Sequence, residues 1–285
     1  ITGTSTGIGQ AATVALFQRG YTVFAGVRKD KDKAKWKEYA DEKKRGGGQG
    51  HVIPVIMDVA DDTSVERGME EISSYLKSNN ITLVGVVNNA GISKGLPIEL
   101  EDMKTVNKVF QVNAIGVIRV CRACIPILRQ SKGRIINISS VQGRIAGRRG
   151  GTYAATKHAV EAITDTLRLE LATWGISVSA IQPAYVKTSH AQKSLGDNLP
   201  WKDLPEESYA LYRQLFDTYP AKRAKHERLA SSTDVTTRAI VHALTSPYPR
   251  TRYPVSNVGR LPASVVLWAR WVLPDRVFDA VRGSN

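Results

Sequence analysis

Tyr153 and Lys157 stand four residues apart within Thr152 to Trp174, a stretch patterned as a helix, so both side chains project from one face. A phenol with a pKa of about 10 is a poor base at neutral pH, but a neighbouring ammonium stabilises its anion. Such a pair can give or take the proton of an alcohol while hydride moves at carbon. Ser139 and Ser140 end the apolar run just before that helix, and strand alternation turns their hydroxyls to opposite faces. A second chemical signal is Thr2-Gly3-Thr4-Ser5-Thr6-Gly7-Ile8-Gly9, which opens a helix. Glycines there let backbone N–H groups approach a pyrophosphate, with the helix N-terminus facing its charge. The third signal is the strand end Gly26-Val27-Arg28-Lys29. An acid at that edge would bond a ribose 2′-hydroxyl and repel a 2′-phosphate. Arg28 instead offers a planar fork and Ser5 a further donor, which favours NADP(H) over NAD(H).

Positioning these groups requires a frame that gathers several strand ends. The 285 residues, 42% hydrophobic and 23% charged, suffice for one large core. Apolar runs at Tyr21 to Val27, Val52 to Met57, Leu83 to Val87, Arg134 to Ser139 and Ile176 to Ile181 read as buried parallel strands. Helical patterns at Ile8 to Arg19, Asp30 to Lys44, Asp62 to Lys77, Glu101 to Arg129 and Thr152 to Trp174 alternate with them. This alternation predicts an α/β fold, a doubly wound parallel sheet in a single domain over 1–285. Ile1 reads as the end of a buried strand, so the first strand is expected to be truncated, any leader or anchor having gone with it. Counting that strand, the one ending at Pro183 is the sixth. After it, Lys187 to Arg223 is polar, aromatic and proline-punctuated, and reads as an inserted substrate flap. Thr233 to Leu244 is then a helix and Arg252 to Val258 a last strand. Pro262 to Val281 is an apolar helical stretch holding Trp268 and Trp271, expected to pack on the core, with peripheral membrane contact as the alternative.

Composition narrows the partners. Forty Lys and Arg against 26 Asp and Glu give a formal charge of +14, suited to an anionic partner or to a solvated basic surface. The excess gathers in Lys29 to Arg45 and at Arg144, Arg148 and Arg149 without a nucleic-acid-binding motif, so no nucleic acid is expected. Cys121 and Cys124 lie one helical turn apart in an apolar segment and are expected in the core. With no second ligand pair nearby, no metal site is expected. No run of twenty apolar residues is present, and localisation stays open between cytoplasmic and membrane-associated.

Together these residues resemble the short-chain dehydrogenase/reductase family. Its pattern T-G-x-x-x-G-x-G is matched by Thr2, Gly3, Gly7 and Gly9, its N-N-A-G by Asn88 to Gly91, its N-A-x-G by Asn113 to Gly116, and its Y-x-x-x-K by Tyr153 and Lys157. The resemblance covers nearly the whole chain and implies a Rossmann-type fold. It implies four catalytic groups: Asn113 holding a water of the proton relay, Ser140 orienting the carbonyl, Tyr153 exchanging the proton, and Lys157 bonding the nicotinamide ribose and lowering the Tyr153 pKa. Beside Ser5 and Arg28, the implied cofactor contacts are Gly3, Gly7, Ile8 and Gly9 at the phosphates, with Asp58 and Val59 at the adenine. Asn89, Ala90 and Gly91 would lie at the adenosine ribose, and Pro183, Val186 and Thr188 at the carboxamide. Ala184 stands where the family has glycine, so a left-handed backbone there would carry a steric cost.

The stretches Ile135 to Tyr153, Thr164 to Leu171 and Ala243 to Tyr253 resemble the branch that includes retinol dehydrogenases and 17β-hydroxysteroid dehydrogenases. That implies a small lipophilic carbonyl or alcohol substrate, retinoid- or steroid-like. The flap residues Tyr209, Leu211, Tyr212, Leu215, Phe216 and Tyr219 would close an apolar pocket over it. One alternative is a carboxylate-bearing keto substrate met by Arg144, Arg148 and Arg149, which are expected rather to face solvent. Another is a catalytically idle nucleotide-binding scaffold, against which the full set Asn113, Ser140, Tyr153 and Lys157 speaks, because a binder needs no proton relay. The resemblance also implies a homodimer or homotetramer through Glu101 to Arg129 and Thr152 to Trp174.

Overall fold

Strands buried on both faces are rich in β-branched and aliphatic residues, and six such strands pair in parallel here. They are β1 (Thr22–Val27), β2 (His51–Ile56), β3 (Gly85–Asn88), β4 (Arg134–Ile138), β5 (Ser177–Pro183) and β6 (Arg252–Val255). The computed structural model describes residues 1–45, 49–188 and 199–281. β1 pairs with β2, and β3, β4, β5 and β6 form a second ladder in that order. Ile1 and Thr2 lie between the two: the Gly26 N–H donates to the Ile1 carbonyl at 2.8 Å, and the Thr2 N–H to the Val87 carbonyl at 3.0 Å. Two residues thus join β1 to β3 and set the glycine turn at the carboxyl ends of both. β6 stops short of the expected Val258 because Ser256 adopts φ +70° and turns the chain into a small antiparallel hairpin, β7 (Asn257–Val258) with β8 (Leu261–Pro262).

Helices cover both faces. α1 (Gly7–Phe17) and α2 (Asp30–Arg45) bring Phe17 and Trp36 against Ala25, Val27 and Val52. On the other face, α3 (Asp62–Ser78) is capped by the Asp61 carboxylate, which accepts from Ser64 N–H at 2.9 Å, and buries Val65, Met69, Ile72 and Leu76 along one stripe. The expected helix over Glu101 to Arg129 is interrupted. It runs as α4 (Met103–Phe110), a π-helical turn at Gln111–Ile115, and α5 (Gly116–Ser131). By length and composition Met103–Ser131 could cross a membrane, but Val117, Val120, Cys121, Cys124 and Leu128 are buried in the main core, so it serves as a core helix. Both cysteines are free and buried, as expected. α6 (Gly151–Glu170) ends in a 3-10 turn at Ala172–Trp174.

The segment after β5 forms α7 (Glu206–Leu211), α8 (Arg213–Asp217) and α9 (Tyr219–Leu229), so the helical flap extends beyond Arg223. Its stretch 189–198 lies outside the described residues. Trp201, Phe216 and Tyr219 form its buried centre, with Leu96, Leu100, Tyr209 and Tyr212 around them; Leu211, expected among these, is exposed. The base is cinched where Lys187 N–H donates to the Ser231 carbonyl (2.9 Å) and Ser231 N–H to that of Tyr185 (3.0 Å). α10 (Thr233–Thr245) returns to the sheet beside α1 through Ala239, Ile240 and Ala243. α11 (Ala263–Val272) and α12 (Asp275–Val281) bury Ala263, Val266 and Phe278, but Trp268 and Trp271 are 64% and 77% exposed. Packing of that stretch is therefore one-sided, and the two tryptophans face outward.

Candidate active site

A cleft of about 740 Å³ runs along the carboxyl ends of the strands. Its phosphate end is the turn before α1. Gly3 sits at φ +66° with the Ala90 Cα only 2.8 Å from where a Cβ would be, so no other residue fits there. Thr2 holds the turn to the end of β3: its Oγ1 accepts from both Asn89 N–H and Ala90 N–H at 3.0 Å. The Asn89 amide donates to the Thr2 and Gly3 carbonyls at 2.9 and 3.0 Å. Thr6, the N-cap of α1, makes no side-chain capping bond, which leaves the first N–H groups of α1 facing the cleft. Ser5, Gly7, Ile8 and Arg28 line this end, and Arg28 makes no hydrogen bond or ion pair among the described residues. Gly9 does not line it. A Cβ there would lie 2.5 Å from the Asn89 amide nitrogen and the Gly3 carbonyl, so Gly9 serves the close packing of the turn.

The middle of the cleft is lined by Asp58, Val59, Asn89, Ala90 and Gly91. Asp58 folds back on its own turn, its carboxylate accepting from Ala60 N–H at 3.0 Å. Asn88 supports the sheet instead of the cleft, donating to the Asn137 amide oxygen at 2.8 Å. At the far end lie Ser140, Tyr153, Lys157, Pro183, Val186 and Thr188. Ser140 hydrogen-bonds the Tyr153 hydroxyl, and its own Oγ donates to the Pro183 carbonyl at 3.3 Å and accepts from Gln142 N–H at 3.1 Å. Ser139 also lines the cleft, but its Oγ is buried and has no hydrogen-bond partner among the described residues. Lys157 is 4% exposed and donates from Nζ to the Ile138 carbonyl at 2.7 Å. Burial pushes the Tyr153 phenol up to about 12, with the Ser140 bond pulling the other way; burial also pushes the Lys157 ammonium down to about 8, against the pull of Glu161. The expected lowering of the phenol by Lys157 is not found in the free protein: Ser140 is the group that pulls it down, and desolvation of the phenolate raises it by more.

Asn113 sits behind the cleft wall. It is fully buried and does not line the cleft. Its amide is spent on the Ile92 backbone, Oδ1 accepting from the N–H and Nδ2 donating to the carbonyl, both at 2.8 Å, with Thr156 Oγ1 at 3.1 Å from Nδ2. The side chain therefore pins the loop after β3, with both amide protons used and one Oδ1 lone pair left over. Ala184 carries no steric cost either: the non-glycine residues with positive φ, among those described, are Asn80, Lys132 and Ser256.

The comparisons with known proteins agree with this geometry. The short chain dehydrogenase family model matches residues 1–198. The chain belongs to the short-chain dehydrogenase family. It is 35% identical over 289 residues to the mitochondrial D-beta-hydroxybutyrate dehydrogenase of Mus musculus, covering 98% of this chain and 82% of that protein. It is 32% identical over 291 residues to retinol dehydrogenase 5 of Mus musculus (99% and 86%) and 33% identical over 293 residues to 17-beta-hydroxysteroid dehydrogenase type 6 of Bos taurus (96% and 88%). The fold matches a short chain dehydrogenase/reductase from Burkholderia phymatum in complex with NAD, with a TM-score of 0.73 and 23% identity over 100% of this chain and 94% of that one. It also matches an alcohol dehydrogenase from Thermococcus sibiricus complexed with 5-hydroxy-NADP, with a TM-score of 0.70 and 22% identity over 92% and 97%.

This short-chain dehydrogenase is therefore an oxidoreductase, and its site holds groups that no sequence pattern singled out. Lys94, Lys104 and Lys108 line the cleft, scattered over a loop and α4. Beneath Lys157, one turn further along α6, Glu161 is buried and accepts from Gln182 Nε2 at 3.0 Å and from Arg252 Nε at 3.0 Å. Arg252 also pairs with Asp165. The i, i+4 spacing of Tyr153, Lys157 and Glu161 was available in the sequence; the partnership with β6, some ninety residues on, was not.

Proposed function

We propose that this short-chain dehydrogenase moves a hydride between NADP(H) and a carbonyl, or a secondary or allylic alcohol, of a lipophilic substrate, retinoid- or steroid-like. The observation that carries the reading is the convergence of Ser140, Tyr153 and Lys157 at one end of a cleft whose other end holds Arg28, unpaired among the described residues. The cleft suits the cofactor: glycine at position 3 lets the turn close against Ala90, and α1 offers a phosphate its free N–H groups. When bound, the nicotinamide supplies or accepts the hydride. Arg28 and Ser5 would take the 2′-phosphate, and Pro183, Val186 and Thr188 the carboxamide side. Ser140 orients the substrate oxygen, Tyr153 gives it a proton in reduction and removes one in oxidation, and Lys157 keeps positive charge beside the phenol. The relatives named for retinol and 17-beta-hydroxysteroid dehydrogenation support the lipophilic substrate class. The outward Trp268 and Trp271, with Arg270 and Arg276 nearby, support contact with a lipid surface.

The test is Tyr153→Phe. Turnover of retinoid and steroid carbonyls should fall by roughly 10²-fold or more while NADPH binds as in the parent. A parent protein that binds NADPH but turns over no carbonyl or alcohol in such a panel would favour the idle scaffold instead.

A further inference from the structure

A second cavity, of about 550 Å³, opens off the cleft, and Ser93, Lys94, Tyr185, Val186 and Thr188 line both. It is bounded also by Lys222, Arg223 and His226 of α9 and by Arg149 from the loop before α6. Arg149 is half-buried, with its guanidinium carbon 3.5 Å from the Tyr219 ring centroid and 5.1 Å from that of Trp201. Its Nη1 donates to the Gly95 carbonyl at 3.2 Å. Among the described residues no carboxylate lies within ion-pair distance of it. Among the described residues the one carboxylate on the cavity wall, Glu227, is held by Arg223 at 2.7 Å. His226 stacks on Tyr185 with ring centroids 4.0 Å apart. Its imidazole is held below the ordinary range by burial and then by repulsion from Lys225, Arg149 and Lys222.

An arginine partly withdrawn from water gains from an anionic partner, and burial already works against the Arg149 charge. Here burial, and after it the neighbouring cations, disfavour a proton on His226, and among the described residues only Arg223 of the cavity's cations has a carboxylate partner. We infer that this cavity takes the carboxylate end of a lipophilic substrate, with Arg149 as the group that reads it while the carbonyl or alcohol carbon lies at Tyr153. The inference rests on the reading of the cleft as an NADP(H) oxidoreductase site. Of its five N–H donors Arg149 spends some on the Gly95 carbonyl and the Tyr219 hydroxyl, and the rest of its planar fork matches a carboxylate. Arg144 and Arg148, which the sequence grouped with it, are exposed and take no part. The volume sets the size: it falls within the range that holds a drug-sized molecule, and an acid of a few carbons would leave most of it empty.

The competing role for Arg149 is purely structural, a cation clamping the rings of the flap. Calorimetric titration of decanoate and of decan-1-ol into the purified protein, with and without NADPH, separates the two. The parent should bind decanoate about tenfold or more tighter than the alcohol, and added salt should narrow the gap. Arg149→Gln should erase it while leaving the alcohol within about threefold, Arg149→Lys should keep part of it, and Arg144→Gln all of it. Equal affinity for acid and alcohol in the parent, no binding of either, an equal loss of both in Arg149→Gln, or the same loss in Arg144→Gln overturns the inference. Because the titration without cofactor stands alone, these failures are distinct from a failure of NADPH to bind, which would sink the reading of the cleft.

Discussion

Lys157 is the residue on which burial and function pull hardest against each other. Its pKa is lowered to about 8, so its charge is present below that pH and is lost as pH rises through it. Tyr153, raised to about 12, stays protonated across the same window. Reduction needs the phenol protonated and the ammonium charged, so kcat/KM for reduction should hold steady near neutrality and decline above about pH 8. A profile that stays level to about pH 10 would show that the ammonium is not required. Residue identities at the site were largely readable from sequence, because glycine turns and the Tyr–Lys spacing are local. Asn113 was not: that its amide is spent on Ile92 depends on a loop twenty-one residues away meeting the π-turn.

At the scale of elements, α6 and β6 act together. α6 places Tyr153, Lys157 and Glu161 on one face, and Arg252 at the start of β6 neutralises Glu161 from across the sheet end. Arg252→Met would strand the buried carboxylate and should destabilise the fold by about 2–3 kcal/mol, below the cost for a fully buried pair because the arginine is partly exposed. Urea unfolding measures this, and an unchanged midpoint would contradict the pairing. Glu161→Gln removes the charge that raises Lys157, so the alkaline limb for reduction should move to lower pH; a limb that stays put would show no coupling. Strand and helix periodicity marked the elements well because buried parallel strands are apolar throughout. It missed the break in Met103–Ser131, since a π-turn adds one residue without disturbing the apolar stripe enough to show.

For the molecule as a whole, the doubly wound parallel sheet was legible from the βαβ alternation, whereas the one-sided packing of α11 was not, because composition alone cannot say which face of an apolar helix is covered. The exposed Trp268 and Trp271 predict that the protein sediments with phosphatidylcholine–phosphatidylserine vesicles and that replacing both by alanine releases it; equal sedimentation of parent and variant would contradict this. Exposed Ile115 in the π-helical turn, Ile118 on α5 and Leu169 on α6 support a homodimer or homotetramer, which light scattering should find and a monomer would refute. The account stands or falls on the cleft itself. Its most direct test is the affinity for NADPH and NADH measured side by side through nicotinamide fluorescence, in the parent and in Arg28→Glu. NADPH should bind the parent tighter by about tenfold or more, with the preference lost or reversed in Arg28→Glu; a parent that prefers NADH, or that binds neither nucleotide, would contradict it.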